Sequence, residues 1–209
     1  MPNSQNDTKK EDILNAAEKE FLLHGYAGAR TVAIARRAGV GHPLLHYHFK
    51  TKKELFRCVV LRKIDLLRQS VLMTWDESGM GFTEKLSFTI GKHFDFVKEN
   101  ADYLRFQFRE MEQYPEIFTD IQTKTSEEMR HFLEKLQEEI DEATRKDEIC
   151  PIDSRLLLED IITVNLFILI TDPIVQRIGQ IDCNESFYEK RKAENIRLII
   201  NRLTPNHRP

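Results

Sequence analysis

The stretch TVAIARRAGVGHPLLHYHFKTKKELF, residues 31–56, constrains this chain more than any other. Two short helical patterns flank Gly39-Val40-Gly41, and a third helix begins at once. Few arrangements let two helices cross steeply with so little between them. In the first helix Ile34, Ala35 and Ala38 share one face, and Thr31 stands at the N-cap position. Small Ala35 and Ala38 admit a close neighbour, Gly39 supplies left-handed backbone to end the helix, and Val40 plugs the space between the two. The second helix is expected from Gly41 to about His48, with Pro43 in its first turn, where a missing N–H does no harm. Leu45 and Phe49, at i and i+4, face inward. Pro43, Leu44 and Tyr47 then point the opposite way, with His46 on the flank and His42 near the helix start. That is a poor face for water and a good one for the major groove, so sequence-specific DNA binding is the leading reading.

The next helix opens with Thr51 and Glu54 as a capping box. Lys52 and Lys53 fall in its first turn, where the helix dipole disfavours cations. An ordinary solvated pair is one explanation. Beside the preceding helix pair, contact with a DNA phosphate is the better one.

Ile13-Leu14-Asn15-Ala16-Ala17, Phe21, Gly25, Thr31, Ile34-Ala35, Ala38-Gly39-Val40, Leu45, His48-Phe49, Lys52 and Leu55 together resemble the amino-terminal domain of the TetR family of transcriptional regulators. The resemblance covers roughly residues 10–57. It implies an all-helical, homodimeric regulator whose N-terminal three-helix helix-turn-helix domain binds an operator. Its C-terminal helical domain would bind a small-molecule effector and dimerise. The matching positions that would meet DNA are Thr31, Val32, His42, Pro43, Leu44, His46, Tyr47, His48 and Lys52. Gly41, Leu44 and His46 depart from the residues usual there, which bears on base preference rather than on docking mode.

Charge segregation agrees. Residues 1–68 hold 13 basic and 7 acidic residues, a net +6, whereas the remainder holds 18 and 27, a net −9. A basic head on an acidic body suits a chain that meets a polyanion at one end. Three scattered cysteines, Cys58, Cys150 and Cys183, suit neither a disulfide framework nor a zinc site and read as reduced thiols of a cytoplasmic protein. The apolar run Ile161–Ile170 spans half of the ~20 residues needed to cross a bilayer, so no membrane association is expected. No glycine-rich phosphate loop or nucleophile motif is present. His42 and His46 have i, i+4 spacing but no third ligand nearby. No enzyme, cofactor or metal is therefore expected.

Residues 1–9 read as a flexible arm, 10–57 as the helix-turn-helix domain and 58–209 as the ligand-binding and dimerisation domain. Helices are expected from the capping box to about Met73, from a Thr83 cap to Asn100, over 102–113, and over 116–146 with an interruption near 123–126. Asp153 would cap a helix that bends or stops at Asp172-Pro173, and a last helix would run over 185–203. The two final long helices would pair with their symmetry mates to form the dimer. Two recognition helices would then sit about 34–36 Å apart or somewhat more on an approximate inverted repeat.

Ten of the thirteen phenylalanines follow residue 80. Aromatic residues at helical spacing are usually core. The resemblance favours an apolar pocket with a few polar groups, for which Phe88, His93, Tyr103, Phe106, Gln107, Phe132 and Asn165 are the candidates. The expected function is thus a repressor released from a pseudo-palindromic double-stranded DNA operator by a small apolar effector. A transcriptional activator or a helical protein-interaction adaptor on the same scaffold is the alternative.

Overall fold

Ile13, Ala17 and Phe21 recur at i, i+4 and i+8, and all three are fully buried along the first helix, α1 (Asn3–Gly28). They belong to a computed structural model that describes residues 3–72, 75 and 79–205. The helices that follow are α2 (Thr31–Arg37), α3 (His42–His48), α4 (Lys52–Leu67), α5 (Phe82–Glu99), α6 (Ala101–Gln113), α7 (Pro115–Arg145), α8 (Ser154–Gly179) and α9 (Glu185–Leu203). No strand occurs among the described residues, and the chain is all-α. None of their helices is long and apolar enough to cross a membrane.

Several boundaries differ from the sequence expectation. The segment expected as a flexible arm is helical from Asn3, and Lys9 pairs with Asp12 at 3.5 Å on the helix surface. Helix α4 gives way to a π-helical turn over Arg68–Leu72, while Met73 and residues 76–78 of the expected break lie outside the described residues. Gly81, not Thr83, is the N-cap of α5. Helix α7 is unbroken through 123–126. Helix α8 runs through Pro173 to Gly179. Asp172, just before that proline, is buried and accepts from the Tyr188 hydroxyl of α9. Asp153 caps α8 as expected, accepting from the amides of Arg155 and Leu156.

The chain divides into two compact units. One takes in residues up to 66 together with 102–124; the other takes in 67–101 and the rest. The core of the first is built around Phe56, whose ring meets Phe21 edge-on at 4.9 Å, Tyr26 at 5.1 Å and Phe106 at 6.0 Å. Leu45, Phe49, Leu55 and Val59 also belong to it, each contributing roughly 1.5–3 kcal/mol by burial. Arg62 of α4 clamps α1 by donating to Glu11 and Glu18, both at 2.6 Å, and to Asn15 at 2.9 Å.

In the second unit Trp75, Phe82, Leu86, Ile90, Leu136, Ile140, Leu157, Ile161 and Ile199 form the core. A buried polar cluster ties α5, α8 and α9 together. Asn165 donates to the Ile90 carbonyl and to His93 Nδ1, both at 3.0 Å. Asn195 donates to Asn165 Oδ1 and to the Val164 carbonyl, both at 2.9 Å, and accepts from Arg191 at 2.8 Å. Asn165 is therefore committed to neighbouring helices of its own chain.

Candidate nucleic-acid interface

The turn between α2 and α3 forms as its residues dictate. Gly39 adopts φ 65°, and the amides of Gly39 and Val40 close onto the Arg36 and Ala35 carbonyls at 3.2 and 3.0 Å. Gly41 is the N-cap of α3, and Pro43 lies in its first turn. Leu45 and Phe49 are each 1% exposed and lock α3 against the core. On the far side Tyr47 is 65% exposed, Pro43 and His46 are exposed, and Leu44 is half-buried. Lys50 lies 5.7 Å above the Tyr47 ring, and Tyr47 meets His48 edge-on at 5.3 Å. His48 is half-buried, and its Nε2 is enclosed without a hydrogen-bond partner.

Thr31 is not the N-cap of α2. Arg30 takes that place with extended backbone and no side-chain cap bond. The Thr31 hydroxyl is instead 3.0 Å from His42 Nε2, which joins the first residues of α2 and α3. The His42 ring stands perpendicular to that of His46, with centroids 4.4 Å apart.

Thr51 and Glu54 make the expected start to α4. The Glu54 amide donates to Thr51 Oγ1 at 3.0 Å, and Glu54 Oε2 accepts from the Lys50 amide at 2.9 Å, one residue before the cap. Lys52 turns back over the corner between α1 and α2. Its ammonium donates to the carbonyls of Ala27 and Ala29 at 3.0 and 3.2 Å and lies 5.0 Å above the Tyr26 ring. An ammonium has three donors, so two are engaged there.

An open groove of about 730 Å³ runs beside this corner, lined by Ala29, Arg30, Thr31, Val32, Ala33, Arg36, His46 and Lys52. Val32, 65% exposed, and Arg36, one turn on, share the outer face of α2. Arg30 and Arg36 were missed as individual site residues, although both count toward the head's positive charge; the i, i+4 spacing of Val32 and Arg36 was the available signal. Arg37, by contrast, turns to the buried Glu20 at 3.4 Å. The assembled surface is cationic along the groove and apolar at Tyr47, Pro43 and Val32. Such a surface can grip phosphates and touch thymine methyls.

The seven effector candidates are divided between the two units. Tyr103, Phe106 and Gln107 belong to the first unit, where Tyr103 and Phe106 are core residues. The Tyr103 hydroxyl is buried without a partner, and burial raises its pKa. Phe88, His93, Phe132 and Asn165 belong to the second unit. His93 and Asn165 satisfy each other, and burial holds the imidazole down at about 4. Phe132 packs against the second core, and Phe88 is 39% exposed with Lys92 over its ring at 5.4 Å.

Residues 13–59 match the family described as bacterial regulatory proteins, tetR family. The HTH-type transcriptional activator FasR of Mycolicibacterium smegmatis is 33% identical over 106 residues, covering 49% of this chain and 46% of that protein. The chain thus spans about half the length of that curated relative. Among solved structures, FadR of Bacillus subtilis in complex with stearoyl-CoA superposes with a TM-score of 0.67 at 19% identity, covering 92% of this chain and 98% of that one. The fatty acid degradation regulator FadR of Bacillus halodurans gives 0.65 at 21% identity, covering 92% and 94%. At those identities the likeness is one of fold.

Proposed function

We propose that this chain, whose residues 13–59 are a TetR-family amino-terminal domain, is a ligand-responsive transcriptional regulator that reads an operator through α3. The observation that carries the reading is the two-sidedness of that seven-residue helix: Leu45 is 1% exposed and Tyr47 is 65% exposed. Tyr47, Leu44 and Pro43 meet base edges and thymine methyls. Val32 of α2 follows them into the groove, while Arg30, Arg36 and the remaining donor of Lys52 take phosphates. Thr31, His42 and His46 set the height and angle of α3, and His48 supports Tyr47 from behind.

The working form is a homodimer. Phe167, Ile174 and Ile178 of α8 are 68%, 59% and 81% exposed at spacings of seven and four, one apolar stripe on a helix face. Leu198 of α9 adds a further exposed apolar side chain at 47%. A second copy covering this stripe pairs two α3 helices on an inverted repeat.

The effector is an apolar-chain molecule of the acyl-CoA class, held by the second unit, where Phe88 and Phe132 lie. Support comes from stearoyl-CoA in the Bacillus subtilis FadR structure. Effector binding changes operator affinity only by favouring one arrangement of the dimer over the other. Repression is the first reading. Activation is the second, favoured by the FasR relative's description as an activator.

Selection of bound duplexes from a random pool tests the reading. An enriched inverted repeat is expected, with affinity that falls steeply with salt. Enrichment of a single half-site, or of nothing, refutes it. Adding stearoyl-CoA to the preformed complex tests the effector, and equal acyl-CoA affinity for free and operator-bound protein refutes the coupling. A reporter fused to the selected site distinguishes repression from activation.

A further inference from the structure

Glu110, on α6, is a carboxylate buried to 2% exposure within the first unit. Burying a carboxylate is unfavourable unless it is bonded. Its Oε2 accepts the backbone N–H of Tyr26 at 3.0 Å, from 84 residues away in sequence, and Arg109 Nε approaches Oε1 at 3.6 Å. That amide directly follows Gly25, where α1 breaks with φ 69°. A Cβ at Gly25 would lie 3.2 Å from Glu110 Oε1, so glycine there both turns the chain and admits the carboxylate.

The contacts continue toward the DNA-facing side. The Ala29 amide closes onto the Gly25 carbonyl at 3.1 Å. The Tyr26 ring lies under the Lys52 ammonium, which takes the Ala27 and Ala29 carbonyls. Arg30 and Thr31 come next, and Thr31 joins His42 on α3. An unbroken series of bonded groups leads from Glu110 to the first residue of the recognition helix.

We propose that Glu110 is a positioning residue for DNA reading. It holds the corner over residues 25–30 from behind and so fixes where Arg30, Thr31 and His42 stand, without touching DNA. This rests on the DNA-binding reading above.

The test compares Glu110→Ala and Glu110→Gln in the full chain. One arm measures hydrogen exchange across the first unit; the other measures affinity for the duplex that the unaltered chain enriches. Glu110→Ala should bind about tenfold more weakly, the effect of leaving the partly buried Tyr26 N–H without its acceptor. Its salt slope should be unchanged, because no phosphate contact is lost. Faster exchange should be confined to residues 25–30. Glu110→Gln keeps an acceptor for the Tyr26 amide and should recover most of the affinity and protection. Wild-type affinity in Glu110→Ala overturns the proposal, as does equal damage in both variants. So does faster exchange spread through the Phe21–Phe56 core, which marks general destabilisation. If the unaltered chain enriches no duplex, the DNA reading itself falls; if it enriches one and Glu110→Ala binds it normally, this proposal falls alone.

Discussion

His93 should make the second unit lose stability in mild acid, and the structure sets the size of the loss. In the unfolded chain the imidazole titrates near 6.5; in the fold, burial holds it at about 4. Below 6.5 the unfolded chain takes up a proton that the folded chain refuses. Stability therefore falls as pH drops through this window and levels off below about 4. Between about pH 7.5 and about pH 5 the loss from this residue is about 2 kcal/mol. The geometry gives the same direction, because Nδ1 accepts from the Asn165 amide at 3.0 Å and a proton there would break that bond. The single tryptophan, Trp75, is buried in the same unit's core, so its fluorescence follows urea unfolding of that unit. His93→Gln keeps an acceptor but cannot titrate. The unaltered chain should lose about 2 kcal/mol more than His93→Gln over this pH interval. Equal losses in the two proteins, or an imidazole titrating at its ordinary value by NMR, would refute the reasoning.

Other perturbations separate the parts of the account. Lys52→Ala should weaken binding to every duplex and lower the salt slope by about 1, and it should also destabilise the head, because the Ala27 and Ala29 carbonyls lose their donor. An effect confined to one operator base would contradict this role. Leu45→Ala, at a site 1% exposed, should destabilise the head by roughly 3–5 kcal/mol in chemical denaturation. A change below about 1 kcal/mol would mean that α3 is not anchored as described. Phe167→Glu, at a site 68% exposed, should leave the fold intact and convert the dimer to a monomer in light scattering; an unchanged mass would place the dimer interface elsewhere.

The helix-turn-helix was legible because its determinants are local. Gly39 needs its left-handed backbone, Pro43 fits only a first helical turn, and Leu45 with Phe49 fixes which side of α3 stays open. Thr31 shows where locality ends: its hydroxyl could cap its own helix or meet another, and only the folded chain brings His42 within reach. Pro173 shows the limit of a local rule in another way: the helix it was expected to bend or stop runs on to Gly179. The effector candidates were least legible. An aromatic residue at helical spacing reads the same whether it fills a core or lines a pocket. Phe106 fills the core around Phe56, and Asn165 closes a network with His93 and Asn195. Glu110 was invisible for the same reason, because its partner is a backbone amide far away in sequence.

The central claim is that the outer face of α3 reads bases. It is tested most directly by repeating the random-pool selection with Tyr47→Ala, whose side chain is exposed and supports no core. The account predicts a folded protein of unchanged stability whose enriched half-sites lose or change the base preference under Tyr47. Recovery of the same duplexes with the same affinity would contradict it.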